Sequence, residues 1–372
     1  MGDAFLTSYY AHYFIDNGMD AGQQSILLGV IPFALFLGCF ILSPFAKTPK
    51  KSLWLFRLCG VFEVIFSLCF AFCHEFWSLL LLTIGISFFN GAPFAFLESY
   101  AATSLENHNV PYARIRLFGT LGYIISLFAG YFVLSNLPIR DCYFFASALS
   151  ATGVAISFFL KGNQAKEEKQ EQGETNNRPF FTKGLILILV STTLVLGAYN
   201  ASTYLLPVAL KNNGMPDGDY SLIRAIAVAC ELVSFLLMPI LTRRFKYKKV
   251  AFYISSVSAL AATLLACFVS YSPYLFAYLS MIVASLGKSF LFAYQAYLFE
   301  DIVGKNRLGT ALTLSTGLVN ALATGFNLMS SSVYLNIGFF GYFMILSVVE
   351  LIGLVVLFFV PKGQPLKQEE SK

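Results

Sequence analysis

The chain alternates long apolar runs with short polar breaks. Twelve runs approach or exceed the ~20 residues that a helix needs to cross a ~30 Å hydrocarbon core. They cover residues 2–16, 24–46, 52–73, 76–104, 113–134, 141–160, 183–210, 219–241, 249–270, 273–299, 308–334 and 337–361. The pattern predicts an all-α polytopic membrane protein. Its first run is short: Gly2 to Asp16 makes roughly 22 Å of helix at ~1.5 Å per residue. A truncated first helix, or a true start upstream of Met1, is expected. Neither a basic n-region nor a cleavage site precedes it, so no signal peptide is expected.

One sustained hydrophilic stretch interrupts the pattern, KGNQAKEEKQEQGETNNRPFFT at 161–182. Its Lys, Glu, Gln and Asn cannot bury a core, and it reads as a cytoplasmic linker. It divides the chain into a six-helix bundle over 1–160 and a second over 183–361, with a cytoplasmic tail at 362–372. Two short basic loops, FAKTPKK at 45–51 and TRRFKYKK at 242–249, fall at matching positions in the two halves. Six helices plus six around a polar central loop resembles the major facilitator superfamily (MFS), which implies paired bundles and alternating access. Helix breakers at Pro32, Pro207 and Asn90-Gly91-Ala92-Pro93 would kink such helices.

Composition fits the same class. Hydrophobic residues make up 57% of the chain and charged ones only 12%, with mean hydropathy +0.69. A soluble domain carries roughly a quarter of its residues charged. The net charge of +5 raises the question of nucleic acid, and its distribution answers it. With the N-terminus inside, 20 of the 25 Lys and Arg fall in inner loops, the entry to the fifth run and the inner tail, and 2 in outer loops. That is the positive-inside pattern of a plasma (inner) membrane protein with both termini cytoplasmic. The seven cysteines lie in or at the ends of runs with no CxxC pair, which points to packing. His74-Glu75 lacks the second His of a zinc motif, and neither GxSxG nor a P-loop occurs. No catalytic residue, cofactor or metal is expected.

Among the charged residues inside these runs eight stand out: Glu63, Glu98, Glu231, Glu350, Arg57, Arg116, Arg224 and Lys288. A charge at membrane depth costs at least ~2.5 kcal/mol, so each needs a partner, water or a solute. The densest signal is FLESYAATSLENHNVPYARIRLFGTLGY at 96–123. Glu98 and Arg116 stand 18 residues apart on antiparallel neighbours, and Tyr123 lies two turns beyond Arg116 on its face. A guanidinium fork and a carboxylate can together grip vicinal hydroxyls. Gly119 and Gly122 would admit a close neighbour.

The segment YARIRLFGTLGY resembles the fifth-helix signature of the lactose permease branch, the oligosaccharide:proton symporters. In that family an acid and an arginine at this spacing bind sugar while an aromatic ring stacks on it. The resemblance implies that Glu98 and Arg116 bind substrate, with Tyr123 in place of the family's Trp. It also implies that Glu231, in ACELVSFLLMPIL, is the eighth-helix acid that touches substrate and couples to protonation. Arg224, seven residues earlier, reads as a counter-ion for Glu231 or as a structural contact. The family's ninth-helix arginine and tenth-helix His and Glu have no counterpart here. Lys288 stands one position beyond that acid, as a counter-ion for Glu231 or a holder of an anionic group. Pro44 occupies roughly the Asp position of the superfamily's GxxxD motif.

Tyr199, Asn200, Gln295 and Asn320 are candidate cavity-lining residues, or else interhelical hydrogen bonds. Arg57 is expected to snorkel, and Glu63 and Glu350 to serve structure. The whole predicts a secondary transporter for a small polar solute: a sugar, oligosaccharide or nucleoside. Protons are the expected coupling ion and the bilayer the solvent, with no nucleic acid or obligate protein partner. An efflux antiporter for amphiphilic compounds is the alternative within the fold. A non-transporting membrane sensor would need a soluble output domain, and none is visible.

Overall fold

The computed structural model describes residues 2–45, 49–91, 112–160, 181–242 and 248–360. Twelve α-helices are found among them. In chain order they are α1 Gly2–Thr7, α2 Tyr10–Asp16, α3 Ala21–Leu42, α4 Pro49–Phe70, α5 Phe76–Asn90 and α6 Tyr112–Asn136. They continue as α7 Arg140–Ser157, α8 Lys183–Asn212, α9 Asp217–Thr242, α10 Lys248–Ala266, α11 Pro273–Val303 and α12 Lys305–Phe359. Six of the described helices are long and apolar enough to cross a membrane, and α5 is a shorter apolar one. Large apolar side chains such as Trp77, Leu81, Phe118 and Phe359 are exposed on their helices, as lipid contact requires.

Two predicted elements differ in form. The first run is broken at Ser8 and Tyr9 into α1 and α2. The last two runs join as one 55-residue element, α12, bent at Gly338, where φ is 72° and ψ 172°. The short break expected at 335–336 is thus replaced by one glycine in a conformation that a Cβ would strain. The run expected at 76–104 is helical to Asn90, and its remainder lies outside the described residues.

The chain divides into two compact units. Unit 1 comprises Met1–Gly173 with Pro216–Ala225, and unit 2 Glu174–Met215 with Ile226–Lys372. In unit 1 the core is aromatic. The Tyr13 hydroxyl donates to the carbonyls of Phe70 and Cys73, 3.0 Å each, and its ring lies 4.9 Å from that of Tyr143. Helices α4 and α7 are joined by a ladder of polar contacts. Ser67 and Ser147 share a 2.9 Å hydrogen bond, and Ser150 donates to Glu63 at 3.0 Å. At one end of the ladder Arg57 donates to the carbonyls of Ser157 (2.6 Å) and Leu160 (3.1 Å) while lying over the Phe158 ring. It thereby satisfies acceptors that the end of α7 leaves open.

In unit 2, α8 starts at a Thr182 cap, whose hydroxyl accepts from the Leu185 amide at 3.2 Å. It buries Leu185, Ile188 and Val195 against Phe252, Leu291 and Leu354. Ser191 donates to the Gly353 carbonyl at 2.9 Å, and the adjacent Thr192 shares a 3.1 Å bond with Ser315. The two halves of α12 therefore run beside the same turn of α8, which makes α12 a helical hairpin. Lys249 of α10 donates to the carbonyls of Phe358 and Val360 at the far end of α12.

Candidate functional site

Among the described residues each unit holds a polar cluster that gathers expected site residues. In unit 1 the cluster is built by the first turns of α9. Asp217, Tyr220, Ser221 and Arg224 follow helical spacing and share one face. Arg224 donates to the hydroxyl of Tyr123 on α6 at 3.2 Å and to that of Tyr220 at 3.3 Å. Ser221 donates to the Leu127 carbonyl at 2.7 Å and is hydrogen-bonded to Tyr9. Gly130 of α6 leaves room for that contact, because a methyl there would collide with both hydroxyl oxygens. His12 of α2 is fully buried; its Nδ1 meets the Asp217 carboxylate, and its ring lies 4.8 Å from that of Tyr220. Asn90 donates to Asp3 at 3.0 Å. The cluster thus offers a guanidinium held by neutral phenols, with hydroxyls on both sides.

In unit 2 the ammonium of Lys288 on α11 lies 3.5 Å from the carboxylate of Glu231 on α9. Both residues sit near the middle of their helices, where an ion pair is the least costly way to carry two charges. Lys288 and Tyr199 of α8 line a narrow crevice, with room for about one water, together with Leu196, Ser255 and Ser258. Gln295 is buried and donates to Ser315 at 3.2 Å, extending the Thr192–Ser315 link. Asn200 and Asn320 are half-buried on α8 and α12.

The expected site residues are therefore distributed unevenly. Tyr123 and Arg224 are brought together, as are Glu231 and Lys288. Arg224 is turned to phenols, and the described cation beside Glu231 is Lys288. Glu98 lies outside the described residues, as does the side chain of Arg116, which falls in the first turns of α6. A methyl at Gly119 would meet no described atom within 4 Å, so no close approach is seen there. Among the described residues no group of three or more His, Cys, Asp or Glu could hold a metal.

Sequence reasoning passed over His12 and Asp217. A lone His among Tyr and Phe looks like core, and its partner lies 205 residues away. The available signal was the acidic first turn of α9, where Asp217 and Asp219 precede an apolar run.

Apolar helices with buried acids, a buried guanidinium and an ion pair at mid-helix define a multi-pass membrane transporter. The chain belongs to the MFS_1-like family, whose profile matches residues 4–351. Its fold is that of solved transporters of the superfamily. It is similar to a point mutant of the nucleoside transporter NupG, with 16% identity over 96% of this chain and 95% of that one, at a TM-score of 0.79. NupG without that mutation gives 16% identity, 96% and 94% coverage and a TM-score of 0.77. A POT family transporter in complex with a thioalcohol-conjugated peptide gives 13%, 96% and 92%, at 0.74. No curated protein matches the chain in sequence.

Proposed function

We propose that this secondary transporter moves a nucleoside- or sugar-sized polar solute into the cell by proton symport, through the plasma membrane, with both termini cytoplasmic. The observation that carries the reading is the Glu231–Lys288 ion pair at mid-helix beside the Tyr199 crevice. A carboxylate accepts from a solute hydroxyl or N–H, and an ammonium donates to its oxygens. When the site is empty the two groups satisfy each other. A polar solute can then replace the pair without leaving either charge bare, whereas an amphiphilic drug offers no such exchange. The likeness of its fold to the nucleoside transporter NupG and to a POT family transporter supports a small solute as cargo.

In this reading Glu98 and Arg116 grip the solute from the first half in the manner of the lactose permease branch. Tyr123 presents its ring and Glu231 answers from the second half. Arg224 holds the Tyr123 hydroxyl and so sets the ring's orientation. The branch's tenth-helix acid has no counterpart here, Lys288 standing one position beyond it, which argues against its own route of proton transfer. The polar stretch at 161–182 acts as the linker between halves.

Reconstitution into proteoliposomes tests the proposal. Labelled nucleosides and sugars are offered with and without an inward proton gradient, and accumulation of one class with the gradient is expected. Unchanged uptake after Glu98→Gln and Arg116→Ala would remove the site assignment. Uptake indifferent to the gradient would remove the symport. Export of amphiphilic dyes would favour the antiporter.

A further inference from the structure

Glu350 is fully buried on α12, ten residues before the end of the helix at Val360 and thus about 15 Å, half a ~30 Å core, from it. Its carboxyl is incompletely satisfied. Thr263 of α10 donates to Oε1 at 2.7 Å, while Oε2 is buried with no hydrogen-bond partner among the described residues. The groups facing it can be named helix by helix. From α10 come Thr263 and Cys267, and from α8 Tyr199. None of these is a cation. From α11 and α9 the Lys288–Glu231 pair is within electrostatic reach of Tyr199, as is Glu350.

A carboxylate buried without a cation and with one oxygen unsolvated is among the most costly arrangements a membrane interior can hold. A carboxylic acid in the same place carries no charge and keeps the Thr263 bond. We infer that Glu350 is a proton-binding site of unit 2, loaded in the conformation seen here. The step is an acid dissociation. The O–H bond of the Glu350 carboxyl breaks, its electron pair stays on the carboxylate, and the proton passes to water when conformational change opens the site. The inference deepens the symport reading by naming where the proton rides, and as a binding site it can be tested without transport.

The full chain is placed in phosphatidylethanolamine–phosphatidylglycerol liposomes and its infrared spectrum is taken as the pH is raised. A carbonyl stretch of a protonated, non-aqueous carboxyl should disappear with rising pH and shift in deuterium oxide. Glu350→Gln should remove this band, and Glu231→Gln and Glu63→Gln should leave it. Thr263→Val, which deletes the single described donor, should shift its frequency. The second readout is uptake. For one proton per solute, an inward gradient of ~1 pH unit should give about tenfold accumulation in the wild type. Glu350→Gln should reduce this to simple equilibration while solute exchange continues. A band that neither Glu350→Gln nor Thr263→Val alters would overturn the inference, as would gradient-driven accumulation retained in Glu350→Gln. A band lost in Glu350→Gln together with gradient-independent uptake by the wild type would uphold the proton site and remove the symport instead.

Discussion

Helices α4 and α7 of unit 1 correspond by position to α10 and the second half of α12 in unit 2, and the two pairs handle the same requirement with exchanged parts. In both, a cation on the earlier helix closes the end of the later one: Arg57 on Ser157 and Leu160, Lys249 on Phe358 and Val360. In both, an acid meets a hydroxyl ten residues deeper. In unit 1 the acid, Glu63, is on α4 and the hydroxyl, Ser150, on α7. In unit 2 the hydroxyl, Thr263, is on α10 and the acid, Glu350, on α12. The surroundings differ more than the geometry. Glu63 has Asp3 and Asn90 within electrostatic reach, while Glu350 has a single described donor. Ser150 and Asn90 can hold Glu63 as a structural element, whereas Glu350 has one described donor, and this difference is what the proposed proton site rests on. The duplicated outline has kept the caps and let the chemistry diverge.

Removing the cation of unit 2 should separate the halves most. Lys288→Ala leaves Glu231 without its described counter-ion and should lower solute uptake about 100-fold, the low end for a broken charge pair because Lys288 is partly exposed. Arg224→Met in unit 1 strands only neutral phenols and should cost about tenfold or less. Equal losses in the two variants would erase the distinction between the clusters. Gly130→Ala comes next. Its methyl must displace Tyr9 or Ser221, which should cost about 1–3 kcal/mol and lower the unfolding temperature in detergent. Gly153→Ala, where a methyl meets no described atom, should leave that temperature unchanged or raise it.

The caps should give smaller and matched effects. Arg57→Ala and Lys249→Ala are each expected to destabilise their helix ends by about 1 kcal/mol, read as faster hydrogen exchange near Leu160 and Val360. Arg57→Ala should be the larger, because the contact with the Phe158 ring is lost too. A loss at one end alone would break the parallel. Gly338→Ala should cost about 1–3 kcal/mol, because φ 72° with ψ 172° is essentially reserved to glycine, and is read as a fall in unfolding temperature.

The sequence carried the fold because hydrocarbon imposes length and composition on every spanning helix, and most described runs end within a few residues of their helices. Where the rule is silent, the reading slipped. At Ser8–Tyr9 the run stays apolar while the backbone breaks, and at 334–338 a single glycine does the work of a loop. The site was less legible. Lys288 was visible as a charge out of place, and Glu231 through its resemblance. That Arg224 holds Tyr123, 101 residues away, depends on how α6 and α9 cross, and no spacing along one helix encodes a crossing. The Thr263–Glu350 contact was not legible either, because its two partners are 87 residues apart.

The hairpin of α12 bears on how the last two crossings are held to α8. With only Gly338 at its tip, the segment has no hydrophilic loop between its two arms. Ser315 and Gly353, which bind neighbouring residues of α8, lie on opposite arms of it. Because the two arms bind adjacent residues of α8, any change that displaces Ser191 or Thr192 disturbs both of the last two crossings at once.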